Sequence, residues 1–259
     1  MLLPTMTISE IKKEIEKDIP FLFKRMVDAR KRALQVARMP IKQFPHIVSW
    51  QAKSYATNIV YNCNLLVNNK RTQNKPRLIV YTSYSHDDGT TLIEIVPEKG
   101  GLEYQFFTPH FFKRYKERMG LPLELTAQEL YLRFRTHNPH SFPKADLIIQ
   151  NDERYYAGDD IQFSGSLVAE GATICEVDKR EPQIIIHNTF ISREMFFETQ
   201  EKKTKFDYIT VMFMDFADNY PRQKYFLEKE LYRILAEADE RGDDEETLYQ
   251  TIKAFIDSY

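Results

Sequence analysis

Asp87-Asp88-Gly89 constrains this chain more than any other short stretch, because it separates two runs rich in β-branched and aromatic residues, Arg77–Thr82 and Thr90–Val96. Turn chemistry of that kind between two strand patterns predicts a hairpin, and a hairpin forces its strands to run antiparallel. After Gly100-Gly101, Leu102–Phe107 reads as a further strand. From Ala145 the pattern continues in short candidates: Asp146–Gln150, Arg154–Ala157, Asp160–Ser164, Ser166–Ala169, Thr173–Val177 and Gln183–Ser192. Asn151-Asp152, Gly158-Asp159, Gly165 and Gly171 punctuate them, and such short connections predict an antiparallel meander.

Helical patterns frame these strands. Thr7-Ile8-Ser9-Glu10 is a capping box, and Pro20 suits the first turn of a second helix reaching Met39, with Phe23, Val27 and Leu34 at helical spacing. His46–Val67 reads as a third helix carrying Ile47, Trp50, Ile59, Cys63 and Leu66, with Tyr55–Tyr61 open to an extended reading. The polar stretch Asn68–Pro76 is the best internal boundary. A second capping box starts at Thr126, Phe206–Phe216 begins as a strand pattern, and the last helical region is broken by Gly242. The expected architecture is α+β: an antiparallel β-meander packed against helices, with a helical N-terminal region (1–70), an α+β domain (71–220) and an acidic helical C-terminal region (221–259).

With 259 residues of which 42% are hydrophobic, the chain can build a sizeable core. Cys63 and Cys175 are too few for a disulfide framework and sit in apolar contexts, so buried, reduced thiols are expected. No apolar run reaches membrane-span length and no signal peptide precedes the first charges, which predicts a cytoplasmic protein without a membrane partner. The formal net charge is only −2, but it is unevenly spread. Between Pro20 and Met39, Lys24, Arg25, Arg30, Lys31, Arg32 and Arg38 face a single carboxylate, Asp28, whereas from Tyr225 onward ten acids face four bases. The basic helix offers surface for a nucleic acid, and the acidic end for a protein partner or the chain's own basic arm. There is no phosphate-cradling glycine loop, nucleophile elbow or dinucleotide fingerprint, and no ligand spacing calls for a metal or cofactor.

One helix carries an unusual polar face. Thr108 fits its N-cap, Pro109 its first position and Gly120 the residue that ends it. Phe111, Phe112, Tyr115 and Met119 share one side, while His110, Arg114 and Glu117 share the other, with Arg118 at the boundary. In the late strand Ile184–Ser192, simple alternation puts His187, Thr189 and Ile191 on one face. A helix bearing His-x-x-x-Arg-x-x-x-Arg, followed by a meander whose late strand carries His, Thr or Ser, resembles the barnase–EndoU–colicin–RelE superfamily of metal-independent ribonucleases over roughly residues 104–200. The resemblance implies His110 as acid or base, Arg114 and Arg118 as phosphate contacts, and His187, Thr189 or Ser192 as the strand-borne polar group, with RNA as substrate and no metal. The alternative is a non-catalytic protein- or nucleic-acid-binding module, in which Pro20–Met39 and the His110 helix supply the surface.

Overall fold

A computed structural model describes residues 2–98, 101–139, 141–144, 161–178, 180–195, 209–220 and 223–259. Two helices, α1 (Ile8–Glu16) and α2 (Ile19–Val36), precede five strands: β1 (His46–Lys53), β2 (Val60–Val67), β3 (Arg77–His86), β4 (Gly89–Glu98) and β5 (Gly101–Phe107). Helices α3 (Pro109–Arg118) and α4 (Ala127–His137) follow, then β6 (Phe142–Lys144), β7 (Ile161–Val168), β8 (Gly171–Asp178) and β9 (Ile184–Ser192). Residues 209–218 are helical (α5), before α6 (Lys224–Arg241) and α7 (Glu245–Ser258).

The nine strands form one sheet in the order β1-β2-β3-β4-β5-β9-β8-β7-β6. Every neighbouring pair is antiparallel except β5 and β9, which run parallel from Tyr104 opposite Ile184 to Phe107 opposite His187. The expected antiparallel meander is therefore corrected to a mixed sheet made of two antiparallel blocks. The reason is topological: after β5 the chain leaves through α3 and α4, and the second block joins the first through its last strand, not its first. The two strand candidates at 146–150 and 154–157 lie outside the described residues. Of the candidates Asp160–Ser164 and Ser166–Ala169, residue 160 lies outside the described residues and the rest joins into the single strand β7, which ends at Val168.

Residues 46–67 form the β1–β2 hairpin where a helix was expected. In β2, Tyr61, Cys63 and Leu65 pack on one side while Asn62 and Asn64 bond to Gln51 and Ser49 on the other. That period of two outweighs the helical spacing of the larger apolar residues. β2 pairs with β3 across the polar Asn68–Pro76 stretch, so the first 70 residues supply two helices and two strands of the common sheet. Of the strand pattern expected at Phe206–Phe216, residues 206–208 lie outside the described residues, and from Ile209 onward the chain is instead α5, in which Ile209, Phe213 and Ala217 recur every four residues and face Leu227, Leu231 and Ile252.

Strand alternation distributes the core over both faces. Ile11, Ile15 and Leu22 of α1 and α2 cover Tyr61, Cys63, Ile93, Tyr104 and Phe106. Phe111, Tyr115, Tyr131 and Phe134 of α3 and α4 cover Tyr81, Leu92, Phe107 and Phe190 on the opposite face. Both cysteines are buried free thiols. Asp18 caps the joint between α1 and α2 and, at 1% exposure, accepts hydrogen bonds from the hydroxyls of Ser54, Thr57 and Tyr61. Three donors to one buried carboxylate compensate its desolvation and clamp the β1–β2 turn under the helices. That clamp fixes the backbone from which Tyr55 projects, 95% exposed.

Candidate functional site

The focal helix is built as its end signals predict. The Thr108 hydroxyl accepts from the Phe111 amide at 3.1 Å, Pro109 opens α3, and Gly120 follows it at φ +58°. Thr108 also donates to the His187 carbonyl at 3.2 Å, which ties the start of α3 to β9. His110 is exposed. Its pKa is lowered, first by desolvation against the helix start and then by Arg114, Lys113 and Arg118. Arg114 is paired with Glu117 at 3.1 Å, and Arg118 donates to the Phe190 carbonyl. One guanidinium is thus neutralised on the helix surface and the other is engaged with β9 backbone.

His187 does not join them at the surface. It is 6% exposed, lies parallel to the Phe107 ring with centroids 4.3 Å apart, and meets Cys175 Sγ at 3.1 Å through Nδ1. Burial, assisted by the charge of Arg135, depresses its pKa to about 3, and burial pushes the Cys175 thiol up to about 12. The pair is a neutral imidazole against a neutral thiol inside the core, the opposite of an activated Cys–His dyad. A bulge opposite Ile174 and Cys175 inserts one extra residue between His187 and Phe190, both of which pack toward α3. The extra residue reverses the parity of the strand, so Thr189 stands on the face away from His187. The shared face expected for His187 and Thr189 is corrected accordingly, and the five predicted site residues do not converge on one cleft.

The buried imidazole carries a pH signature. Above about pH 6.5 both folded and unfolded chains hold His187 neutral, whereas between 6.5 and 3 only the unfolded chain takes up the proton. His187 therefore contributes stability that is complete above 6.5 and is lost as pH falls toward 3. We expect its contribution to drop by about 2 kcal/mol between pH 7 and pH 5, and urea unfolding at both pH values should show that drop removed in His187→Phe.

The strongest surface constellation lies on the other side of the sheet, between α2 and the edge strand β1. Leu22, Ala29 and Val36 recur every seven residues and are buried at 1–2% exposure, which fixes the rotation of α2. The neighbouring stripe Phe21, Arg25, Asp28, Arg32 and Gln35 then runs along β1 and walls a groove of about 720 Å³, with Lys31 on its helical side. Trp50, Lys53 and Tyr55 form the opposite wall. Trp50 is held by the alternation of β1, and among the described residues no strand pairs with the outer edge of β1. The Arg32 guanidinium lies 4.7 Å from the Trp50 ring centre, and Arg25 lies 5.0 Å from that of Phe21 while pairing with Asp28 at 3.1 Å. Among the described residues, Lys31, Arg32 and Lys53 have no carboxylate at ion-pairing distance. Three uncompensated cations and three aromatic rings thus share one open groove.

The expected basic helix is present as α2, but the apolar residues expected at helical spacing lie on its exposed side. Phe23, Val27 and Leu34 are 51–64% exposed, and the packed stripe is Leu22, Ala29 and Val36. The seven-residue recurrence of Arg25 and Arg32 beside that stripe was the available signal. Within the acidic end, Arg233 pairs with Glu230 and Glu237, and Arg241 pairs with Asp243. Among the described residues no helix is long and apolar enough to cross a membrane, and no cluster of three metal-ligating side chains occurs. Comparison with family models, curated proteins and solved structures finds no match.

Proposed function

We propose that this protein is a non-catalytic binder of single-stranded nucleic acid, and that the α2–β1 groove is its contact surface. The observation that carries this reading is the interleaving of Lys31, Arg32 and Lys53, all uncompensated, with Phe21, Trp50 and Tyr55 along one groove. Cations neutralise backbone phosphates, and aromatic rings stack bases whatever their sequence. A duplex hides its base faces and cannot use the rings, so the groove favours an unpaired strand. Its wall is long enough for several sugar–phosphate units, since residues 21 to 35 of α2 span roughly 21 Å.

Fluorescence anisotropy with a labelled single-stranded oligonucleotide tests the reading. Neutralising three phosphates predicts that log K falls with log salt concentration at a slope of about −2. A slope near zero, or equal affinity for duplex of the same length, would count against it.

The ribonuclease reading requires a second acid–base group beside His110, and His187 is buried, neutral and stacked on Phe107. Incubating the protein with RNA in EDTA should therefore leave the RNA intact. Cleavage that disappears in His110→Ala would replace the binding reading with catalysis.

A further inference from the structure

A second basic hollow lies at a different place in the fold, between the short turn that follows β2 and the start of α6. Its volume is about 580 Å³. Lys70, Arg71 and Lys75 line it together with the amide side chains of Asn74, Asn219 and Gln223, and among the described residues no carboxylate contributes to its wall. None of the three cations has an ion-pairing partner among the described residues. The Arg71 guanidinium lies 3.9 Å from the centre of the Tyr220 ring, which closes one side.

The turn that carries these cations is held rigidly. The Asn69 side-chain oxygen accepts from the amides of Arg71 at 2.9 Å and Thr72 at 3.0 Å. Gln73, 3% exposed, donates its amide to the carbonyls of Val36 at 3.0 Å and Met39 at 2.6 Å, pinning the turn to the end of α2. Asn69 also donates to Asn219, which joins the turn to the far wall. Cations set on a pre-organised backbone lose little freedom when they bind an anion.

We propose that this hollow binds a phosphorylated small molecule of nucleotide size, with Lys70, Arg71 and Lys75 on the phosphate and the three amides on the polar groups of the remainder. Guanidinium and ammonium groups select the phosphate by charge-assisted hydrogen bonds. Amides offer both donors and acceptors, which suits hydroxyls or a base edge and not a second anion. The volume accommodates a nucleoside monophosphate and is wasteful for inorganic phosphate alone.

The test is isothermal titration calorimetry of the full chain with AMP, UMP, adenosine and inorganic phosphate. At least one nucleotide should bind saturably and about tenfold or more tighter than inorganic phosphate, with adenosine weaker than either. The double variant R71A/K75A should weaken the nucleotide by about tenfold or more, while Lys42→Ala, an exposed lysine elsewhere, leaves it unchanged. Lys70→Gln, which removes the charge but keeps a hydrogen-bond donor beside Gln73, should weaken it by a smaller factor and guards against misfolding of the double variant. Absence of saturable nucleotide binding, a nucleotide affinity no better than that of phosphate, or full affinity in R71A/K75A would each overturn the proposal.

Discussion

Reversing two groove charges, Lys31→Glu together with Arg32→Glu, should weaken single-stranded oligonucleotide binding on the order of 100-fold at about 0.1 M salt. The substitution removes two of the three uncompensated cations and places two carboxylates where phosphates would lie. It also removes the guanidinium stacked on Trp50, so the ring loses a partner that holds it toward the groove. The salt slope should fall to about −0.7, the value for the single remaining contact from Lys53. Both side chains are exposed, so folding stability should move by no more than about 0.5 kcal/mol. Anisotropy at several salt concentrations, with urea unfolding of the same sample, separates lost binding from lost structure.

The second large effect lies in the core beneath α4. Arg135 and Glu94 form an ion pair with side-chain exposures of 6% and 5%, and Arg135 also donates to Gln105. The guanidinium sits 5.1 Å from the centre of the Phe107 ring, the same ring on which His187 stacks. Arg135→Met keeps the volume but leaves the Glu94 carboxylate buried without its partner. Removing one member of a buried pair costs about 3–5 kcal/mol, because the remaining charge has neither water nor a counter-ion. The double variant Glu94→Leu with Arg135→Met should recover most of that loss, since an apolar pair needs no compensation. Urea unfolding of the single and double variants reads both outcomes. A single variant as stable as the native chain would mean that Glu94 is uncharged or hydrated in the fold.

These two sites differ in how far the sequence exposed them. The helix Pro109–Arg118 was legible because its signals are local: an N-cap hydroxyl at Thr108, a proline at the first position and a left-handed glycine at Gly120. The capping boxes at Thr7 and Thr126 were legible for the same reason, and both close as expected. The hairpin around Asp87-Asp88-Gly89 joins β3 to β4 in the register such a turn imposes.

Non-local pairing was not legible. β9 meets β5 from about 80 positions away in sequence, and no local pattern reports that the second block docks through its last strand. The bulge beside Cys175 was equally hidden, yet it alone decides that His187 and Thr189 part company across the sheet. The shared face that strict alternation gives His187 and Thr189 is lost at one inserted residue. In α2 the periodicity was visible but its phase was not. Small Ala29 packs against the sheet while Phe23 and Leu34 remain exposed, so side-chain size misled where the seven-residue recurrence would have succeeded.

Trp50 offers the most direct test of the groove, because it is the chain's only tryptophan and its ring forms part of the groove wall. Its fluorescence therefore reports on the groove wall. Titrating a single-stranded oligonucleotide into the native protein at low salt should change the Trp50 emission saturably, with the same affinity as anisotropy gives, and raising the salt should reverse the change. Oligonucleotide binding seen by anisotropy with an unaltered Trp50 signal, or no binding by either readout, would contradict the assignment of the α2–β1 groove as the contact surface.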